Sequence, residues 1–337
     1  MPLPEINVCP STLRPGFTTY SPAAEAALFG GRSRKVSHIL PFGPPGTNPE
    51  LLREYNEKRK QISISGVQEK YSLRQGKNTL VLTYTGGTHI LKPVPGERLE
   101  RVTDLPANEH VSMQMAKQVF GLRTAECGMI FFDDGSPAYL TRRFDYKADG
   151  PGKYQVEDLA TLMGKTPERG GDAFKYNASY LDIANSIRRY SAAAPVVLLD
   201  FFRVLVFNYL ISNGDAHLKN FALMETVQGD FVLSPVYDLL CTSLHINDSL
   251  LALSGGLYEG DYEEKTFYDL GMYTGASFVV FAEKAGIPVT LAGKVIDEIV
   301  QGVPKAIEMI QRSFLSEEAR KKYIEILAQR QGLLGQR

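Results

Sequence analysis

The chain has 337 residues, 44% of them apolar and 22% charged, a balance that excludes a disordered or fibrous protein and leaves length for two lobes. Its 37 basic and 38 acidic side chains give a net charge of −1, so no global field draws it to nucleic acid or to a membrane surface. Cys9, Cys127 and Cys241 are odd in number and widely spaced, which suits neither a disulfide framework nor a paired-cysteine zinc site, and no run reaches the roughly 18 apolar residues of a membrane span. The N-terminus MPLPEINVCP lacks a basic stretch before an apolar core, so a cytoplasmic location is expected.

Residues 1–50 are rich in Pro, Gly, Ser and Thr and close on FGPPGTNPE. They predict a loose arm, taken as residues 1–55, with one short helix near Ala23–Phe29 and a role in docking a partner. From Ile62 the runs QISISG, KYSLRQ, NTLVLTY and THILKPV, broken by GKN and TGGT, predict an antiparallel sheet. Apolar residues at helical spacing predict a helix over Pro106–Phe120 that stops at Gly121. GMIFFDD and PAYLTRRFDY then read as two more strands around an Asp-Gly turn, completing a small mixed lobe over residues 56–150. Beyond it YLDIANSIRRY and PVVLLDFFRVLVFNYLIS read as helices, FALMET and DFVLSPVYDLL as a hairpin, and Leu291–Ser313 and Ser316–Gln331 as amphipathic helices. The fold class expected is α+β, with a helical second lobe over residues 151–337. SGGLYEGDYEEK, residues 254–265, reads as solvated surface.

The chemistry is carried by SNGDAHLKNFAL, in which Asp215 and Asn220 stand five positions apart in a loop that enters a short strand. Phosphoryl transfer needs a carboxylate that holds the attacking hydroxyl in line and an amide oxygen a few residues on that holds a metal on the phosphates. Asp and Asn are also common turn formers, so the pair alone is ambiguous. One hairpin later LSPVYDLLC places Asp238 at a strand end, where a kinase carries its second metal-binding acid. Upstream, Lys92 lies in the strand HILKPV, as a nucleotide-phosphate lysine would, and Glu109 lies on the following helix, where it could orient Lys92. Singly, Lys92 also fits a solvated strand end and Glu109 a helix N-terminal acid; their order along the chain joins them. The position of a Gly-rich phosphate loop is taken by ISISGVQEK, residues 62–70, which has the single glycine Gly66 and would cradle phosphates with amides, hydroxyls and Lys70. A plain edge strand with a glycine bulge would read the same way.

Together ISISGVQEK, HILKP, TRRFDY, NGDAHLKNF and PVYDLL resemble the phosphate loop, ATP lysine, hinge, catalytic loop and metal motif of the HipA family of bacterial Ser/Thr kinases, toxin halves of toxin–antitoxin modules. The resemblance covers about residues 60–245. It implies a two-lobed kinase fold using ATP and Mg²⁺, with Asp215 as base, His217 and Lys219 in the catalytic loop, and Asn220 and Asp238 as Mg²⁺ ligands. It also implies Lys92 and Glu109 as the nucleotide lysine and its partner, Arg142 to Phe144 as hinge, and Ser65, Gly66, Val67, Gln68, Lys70 and Tyr237 lining the nucleotide site. Ser63 and Ser65 match the serine through which family members silence themselves by autophosphorylation, which would place about −1.5 to −2 charges beside the nucleotide phosphates.

Two positions depart from the pattern. Arg142 stands where the family often has Glu, so a hinge contact to adenine would come from the backbone. The phosphate loop begins near residue 62, whereas full-length members carry a further N-terminal subdomain; the chain resembles the short form of three-component modules. The partners implied are a helix-turn-helix antitoxin that carries the DNA contact, a small protein resembling the missing subdomain, and a protein substrate, an aminoacyl-tRNA synthetase phosphorylated on serine. Asp, Asn and Asp in this order serve lipid and small-molecule kinases equally well, and a non-catalytic relative could keep the fold.

Overall fold

The computed structural model describes residues 3–30, 35–44, 69–96, 98–147 and 152–337. They fall into two compact units. The first gathers the described residues of Met1–Gln114, Ala125–Phe144 and Arg312–Ser316, and the second gathers Met115–Thr124, Asp145–Gln311 and Glu317–Arg337.

The first unit is built on five antiparallel strands, β1 (Tyr71–Gln75), β2 (Leu80–Leu82), β3 (His89–Pro93), β4 (Cys127–Phe131) and β5 (Pro137–Arg142), in the order β2-β1-β3-β5-β4. Alternation sets the register: Tyr71 and Leu73 of β1 point into the core and pair across to Leu91 and His89 of β3. Lys92 and Tyr139 face each other across the β3–β5 ladder. Helix α1 (Pro22–Phe29) has Pro22 at its first position and Ser21 as N-cap, whose hydroxyl accepts the Ala24 N–H at 3.3 Å.

The described residues of the stretch expected as a loose arm contribute to this unit's core. Cys9, Tyr20, Leu28, Phe29, Val36 and Leu40 are buried with Tyr71, Leu91, Ile130 and Leu140 in one cluster. Its polar groups tie it down as well: the Ser11 hydroxyl donates to the Cys127 carbonyl at 2.7 Å and the Tyr20 hydroxyl to the Met129 carbonyl at 2.7 Å. Pro- and Gly-rich composition foretells little regular structure, which holds outside α1 among the described residues, but it does not foretell poor packing. Side-chain bonds to strand carbonyls satisfy an irregular backbone as well as a ladder does.

Helix α2 (Leu105–Gln118) runs in the chain from the first unit into the second. It closes two residues before the expected end because the Phe120 N–H takes the Met115 carbonyl at 3.2 Å. The second unit holds a three-stranded sheet, β6 (Val156–Asp158), β7 (Ala222–Glu225) and β8 (Phe231–Leu233), in that order. Its described helices are α3 (Leu159–Leu162), α4 (Pro167–Gly170), α5 (Tyr180–Tyr190), α6 (Ala194–Leu210), α7 (Lys265–Leu270), α8 (Gly275–Lys284), α9 (Val289–Gln311) and α10 (Glu317–Leu334). The apolar run of α6 buries Phe201, Phe202, Leu205, Phe207 and Tyr209 and packs against α5, α9 and α10, which places the helix end at Leu210 at the entry to the Asp215 loop. The expected C-terminal helices are α9 and α10, while β6 and α8 were not foreseen. No helix among the described residues is long and apolar enough to cross a membrane.

Candidate active site

In the first unit the β3 alternation turns Lys92 inward, where it is 4% exposed. Its Nζ lies 2.5 Å from Glu109 Oε1 on α2, itself 2% exposed, and 5.4 Å from the ring centroid of Tyr139. Two opposite charges brought this deep are fixed by each other, since a lone buried charge would be prohibitive. Arg142 ends β5; its guanidinium donates to the Ala27 carbonyl at 2.8 Å and its N–H to the Glu126 carbonyl at 2.8 Å. Its side chain thus serves the C-terminal turn of α1. Phe144 follows it as the last residue of this span, and Lys70 precedes β1, both partly buried. Ser63, Ser65, Gly66, Val67 and Gln68 lie outside the described residues.

In the second unit α6 hands over to the loop through Ser212, held at φ +54°, a region non-glycine residues seldom occupy. The Ser212 hydroxyl lies 2.8 Å from Ser243 Oγ and accepts from Arg330 Nη2 of α10 at 3.1 Å. Gly214 follows, and a side chain there would meet the Asp248 carboxyl at 2.4 Å, so the loop can pass only with glycine. Asn213 fixes the turn by donating to Asn208 Oδ1 at 2.7 Å and accepting the Asp215 N–H at 3.2 Å.

Asp215 therefore stands at the head of a braced loop with its side chain 48% exposed. Its Oδ1 accepts the Tyr176 hydroxyl at 2.7 Å and lies 4.0 Å from His217 Nε2. Burial pushes the His217 imidazole down to about 4, so it is neutral at pH 7 despite the carboxylate beside it. A single 3₁₀ turn, Leu218–Asn220, returns Asn220 toward the loop, where its Oδ1 accepts the His217 N–H at 3.1 Å and its Nδ2 lies 3.4 Å from Asp238 Oδ2. Asp238 has φ +56°, a conformation a non-glycine residue keeps only where its surroundings impose it. The Tyr237 hydroxyl donates to the Lys219 carbonyl at 2.8 Å, and Lys219 Nζ lies 5.9 Å from the Phe174 ring centroid.

Asn220 and Asp238 fit Mg²⁺ by the chemistry of their donors. A carboxamide oxygen has two lone pairs, of which the His217 N–H uses one, and the Asp238 carboxylate adds a hard anionic oxygen. Mg²⁺ characteristically takes one or two protein carboxylates and fills its octahedron with water and substrate phosphates. Among the described residues no group of three or more His, Cys, Asp or Glu side chains is arranged to hold a metal ion.

The antiparallel sheet with a buried Lys–Glu pair in one unit, and the helical unit carrying Asp215, Asn220 and Asp238, define a kinase-like α+β fold. Residues 62–307 match the model of the HipA-like C-terminal domain, and the chain belongs to that family. A Haemophilus influenzae protein provisionally named a kinase is 28% identical over 313 residues, covering 87% of this chain and 90% of that protein. The serine/threonine-protein kinase toxin HipA of Shewanella oneidensis is 27% identical over 267 residues, 73% of this chain but 57% of the toxin. Among solved structures, Shewanella oneidensis HipA in complex with HipB and operator DNA aligns with a TM-score of 0.61 at 22% identity, over 81% of this chain and 65% of that one. The Helicobacter pylori proinflammatory kinase CtkA aligns with a TM-score of 0.51 at 14% identity, over 78% and 93%.

The sequence did not point to Tyr176, Asn213 or Arg330. Asn213 is flagged only by standing two residues before Asp215, and Tyr176 lies in GGDAFKYNAS, which has no periodicity to mark it.

Proposed function

We propose that the chain is an ATP- and Mg²⁺-dependent serine/threonine protein kinase. The observation that carries this reading is the loop in the second unit, where Asp215 stands half-exposed and Asn220 and Asp238 approach to 3.4 Å. In this reading Asp215 orients the acceptor hydroxyl and takes its proton as the oxygen bonds to the γ-phosphorus. Asn220 and Asp238 would hold Mg²⁺, which supplies charge neutralisation on the phosphates when bound. Lys92, steered by Glu109, would pair with the nucleotide phosphates, and His217, neutral at pH 7, would not compete as a cation for Asp215.

Further readings belong to the same proposal. The acceptor is a protein serine, such as one on an aminoacyl-tRNA synthetase, with Ser63 and Ser65 as autophosphorylation sites and a cytoplasmic setting. A helix-turn-helix antitoxin would carry any DNA contact, and a small protein resembling the N-terminal subdomain would complete the module. The kinase-toxin name of one relative supports the protein-kinase reading, and the HipB–DNA assembly of a solved one supports the antitoxin partner.

Asp238→Asn tests the metal assignment cleanly, because Asn tolerates the left-handed backbone that Asp238 adopts. Titration calorimetry with a non-hydrolysable ATP analogue should show Mg²⁺-dependent affinity in the wild type that falls at least about tenfold in the variant. Equal affinities would remove Asp238 from the metal site.

A further inference from the structure

Residues 254–265 do more than cover the surface. Ser254 donates both its N–H, at 2.9 Å, and its hydroxyl, at 3.1 Å, to the carbonyl of Tyr176. Gly255 N–H donates to the Ala178 carbonyl at 3.0 Å, Tyr180 N–H to the Gly256 carbonyl at 3.0 Å and Leu181 N–H to the Leu257 carbonyl at 2.9 Å. Two stretches of irregular chain are thereby zipped together. The bend at Gly256 has φ +58°, and a side chain there would meet Asp261 Oδ2 at 2.3 Å. That same oxygen is occupied, accepting the Leu257 N–H at 2.6 Å and the Tyr273 hydroxyl at 2.7 Å.

The braced stretch presents two phenols to the catalytic loop. Tyr176 donates to Asp215 Oδ1 at 2.7 Å, and Tyr180 donates to the Ala216 carbonyl at 2.9 Å. The Tyr176 ring stands edge-on to His217 with centroids 5.3 Å apart, and Lys175 Nζ lies 4.9 Å from its centroid. Burial, then the bond to Asp215, raise the Tyr176 phenol, so it remains a protonated donor.

We infer that Tyr176 is the positioning residue of Asp215, and that Ser254–Leu257 is the brace that fixes Tyr176 in place. This rests on the reading of Asp215 as the base and deepens it. An exposed aspartate otherwise rotates freely, and each misaligned rotamer misdirects the oxygen that must meet the acceptor hydroxyl. With Oδ1 tied to a phenol on an anchored main chain, Oδ2 is left to receive the proton in one fixed direction. A phenol on a catalytic carboxylate could instead occupy the place of the acceptor hydroxyl as a plug. The bonds that pin the Tyr176 carbonyl favour a fixed support over a part that leaves.

Steady-state kinetics of ATP-dependent phosphorylation separate these roles. Tyr176→Phe keeps the ring on His217 and removes one hydroxyl. Its kcat should fall about ten- to a hundredfold, the value of a hydrogen bond to a charged group, with KM for ATP and the urea midpoint unchanged. Ser254→Ala keeps its N–H on Tyr176 and should lower kcat in the same direction by less. An unchanged kcat in Tyr176→Phe overturns the inference, as does a raised kcat, which marks the phenol as a competitor of the acceptor. A rise in KM for ATP together with a lowered urea midpoint overturns it too, by showing a merely structural role. Asp215→Asn, run in parallel, tests the underlying reading separately: full turnover there removes the base assignment whatever Tyr176→Phe does.

Discussion

Lys92 and Glu109 are buried to the point that neither can lose the other cheaply. Glu109→Ala should destabilise the protein by about 3–5 kcal/mol, because it strands an ammonium in the interior. Lys92→Met combined with Glu109→Leu should cost much less than the sum of the two single changes, since both desolvation penalties vanish together. Urea denaturation of Glu109→Ala, the two single changes and the double variant measures this; additive losses would show that the pair is not coupled. At this scale the sequence was informative where chain order linked Lys92 to Glu109, whose side chains meet at 2.5 Å. It was silent on Tyr176, because a hydroxyl that touches Asp215 from 39 positions away leaves no local pattern. It was equally silent on the partner of the Arg142 side chain, which donates to the Ala27 carbonyl.

Elements with strong local signals were legible. YLDIANSIRRY is helix α5 to the residue, opened by Ser179, whose hydroxyl accepts the Asp182 N–H at 3.2 Å while Asp182 Oδ2 accepts the Ser179 N–H at 2.8 Å. Ser179→Ala should therefore cost about 1 kcal/mol and Ser179→Thr, which keeps a hydroxyl to accept from the Asp182 N–H and donate to its carboxylate, much less, a difference readable as a shift of the urea midpoint. What escaped was short or ambiguous. Strand β6 is three residues of mixed polarity whose identity comes from pairing with β7. Helix α8 contains the run FVVFA, which suits a buried strand equally well until the Thr274 N–H is seen donating to Ser277 Oγ at 3.2 Å ahead of it. The arm escaped for a different reason: its packing comes from isolated apolar residues such as Leu13 and Leu40 and from side-chain bonds to β4, none of them periodic.

For the whole molecule, acid stability is set by histidines taken out of water. Burial pushes His89 and His110 in the first unit and His217 in the second down to about 4 from the ordinary value of 6.5. Their folded values lie below their unfolded ones, so the unfolded chain binds the extra protons between pH 6.5 and 4. The stability they contribute is whole above that window and falls through it by about 1.4 kcal/mol per pH unit for each histidine. Unfolding midpoints measured at pH 7 and pH 5 should show this decline, and His110→Gln should remove about a third of it. Family membership rests on residues 62–307, a span that contains Lys92, Asp215, Asn220 and Asp238, while Arg330 of α10, which braces the loop at Ser212, lies beyond it. The most direct test of the kinase reading is phosphate transfer from labelled ATP with Mg²⁺ by purified wild type and Asp215→Asn. Wild type should transfer phosphate to protein serine and Asp215→Asn should lose at least about a hundredfold in rate, the usual contribution of a positioned base; equal rates in the two proteins would contradict the account.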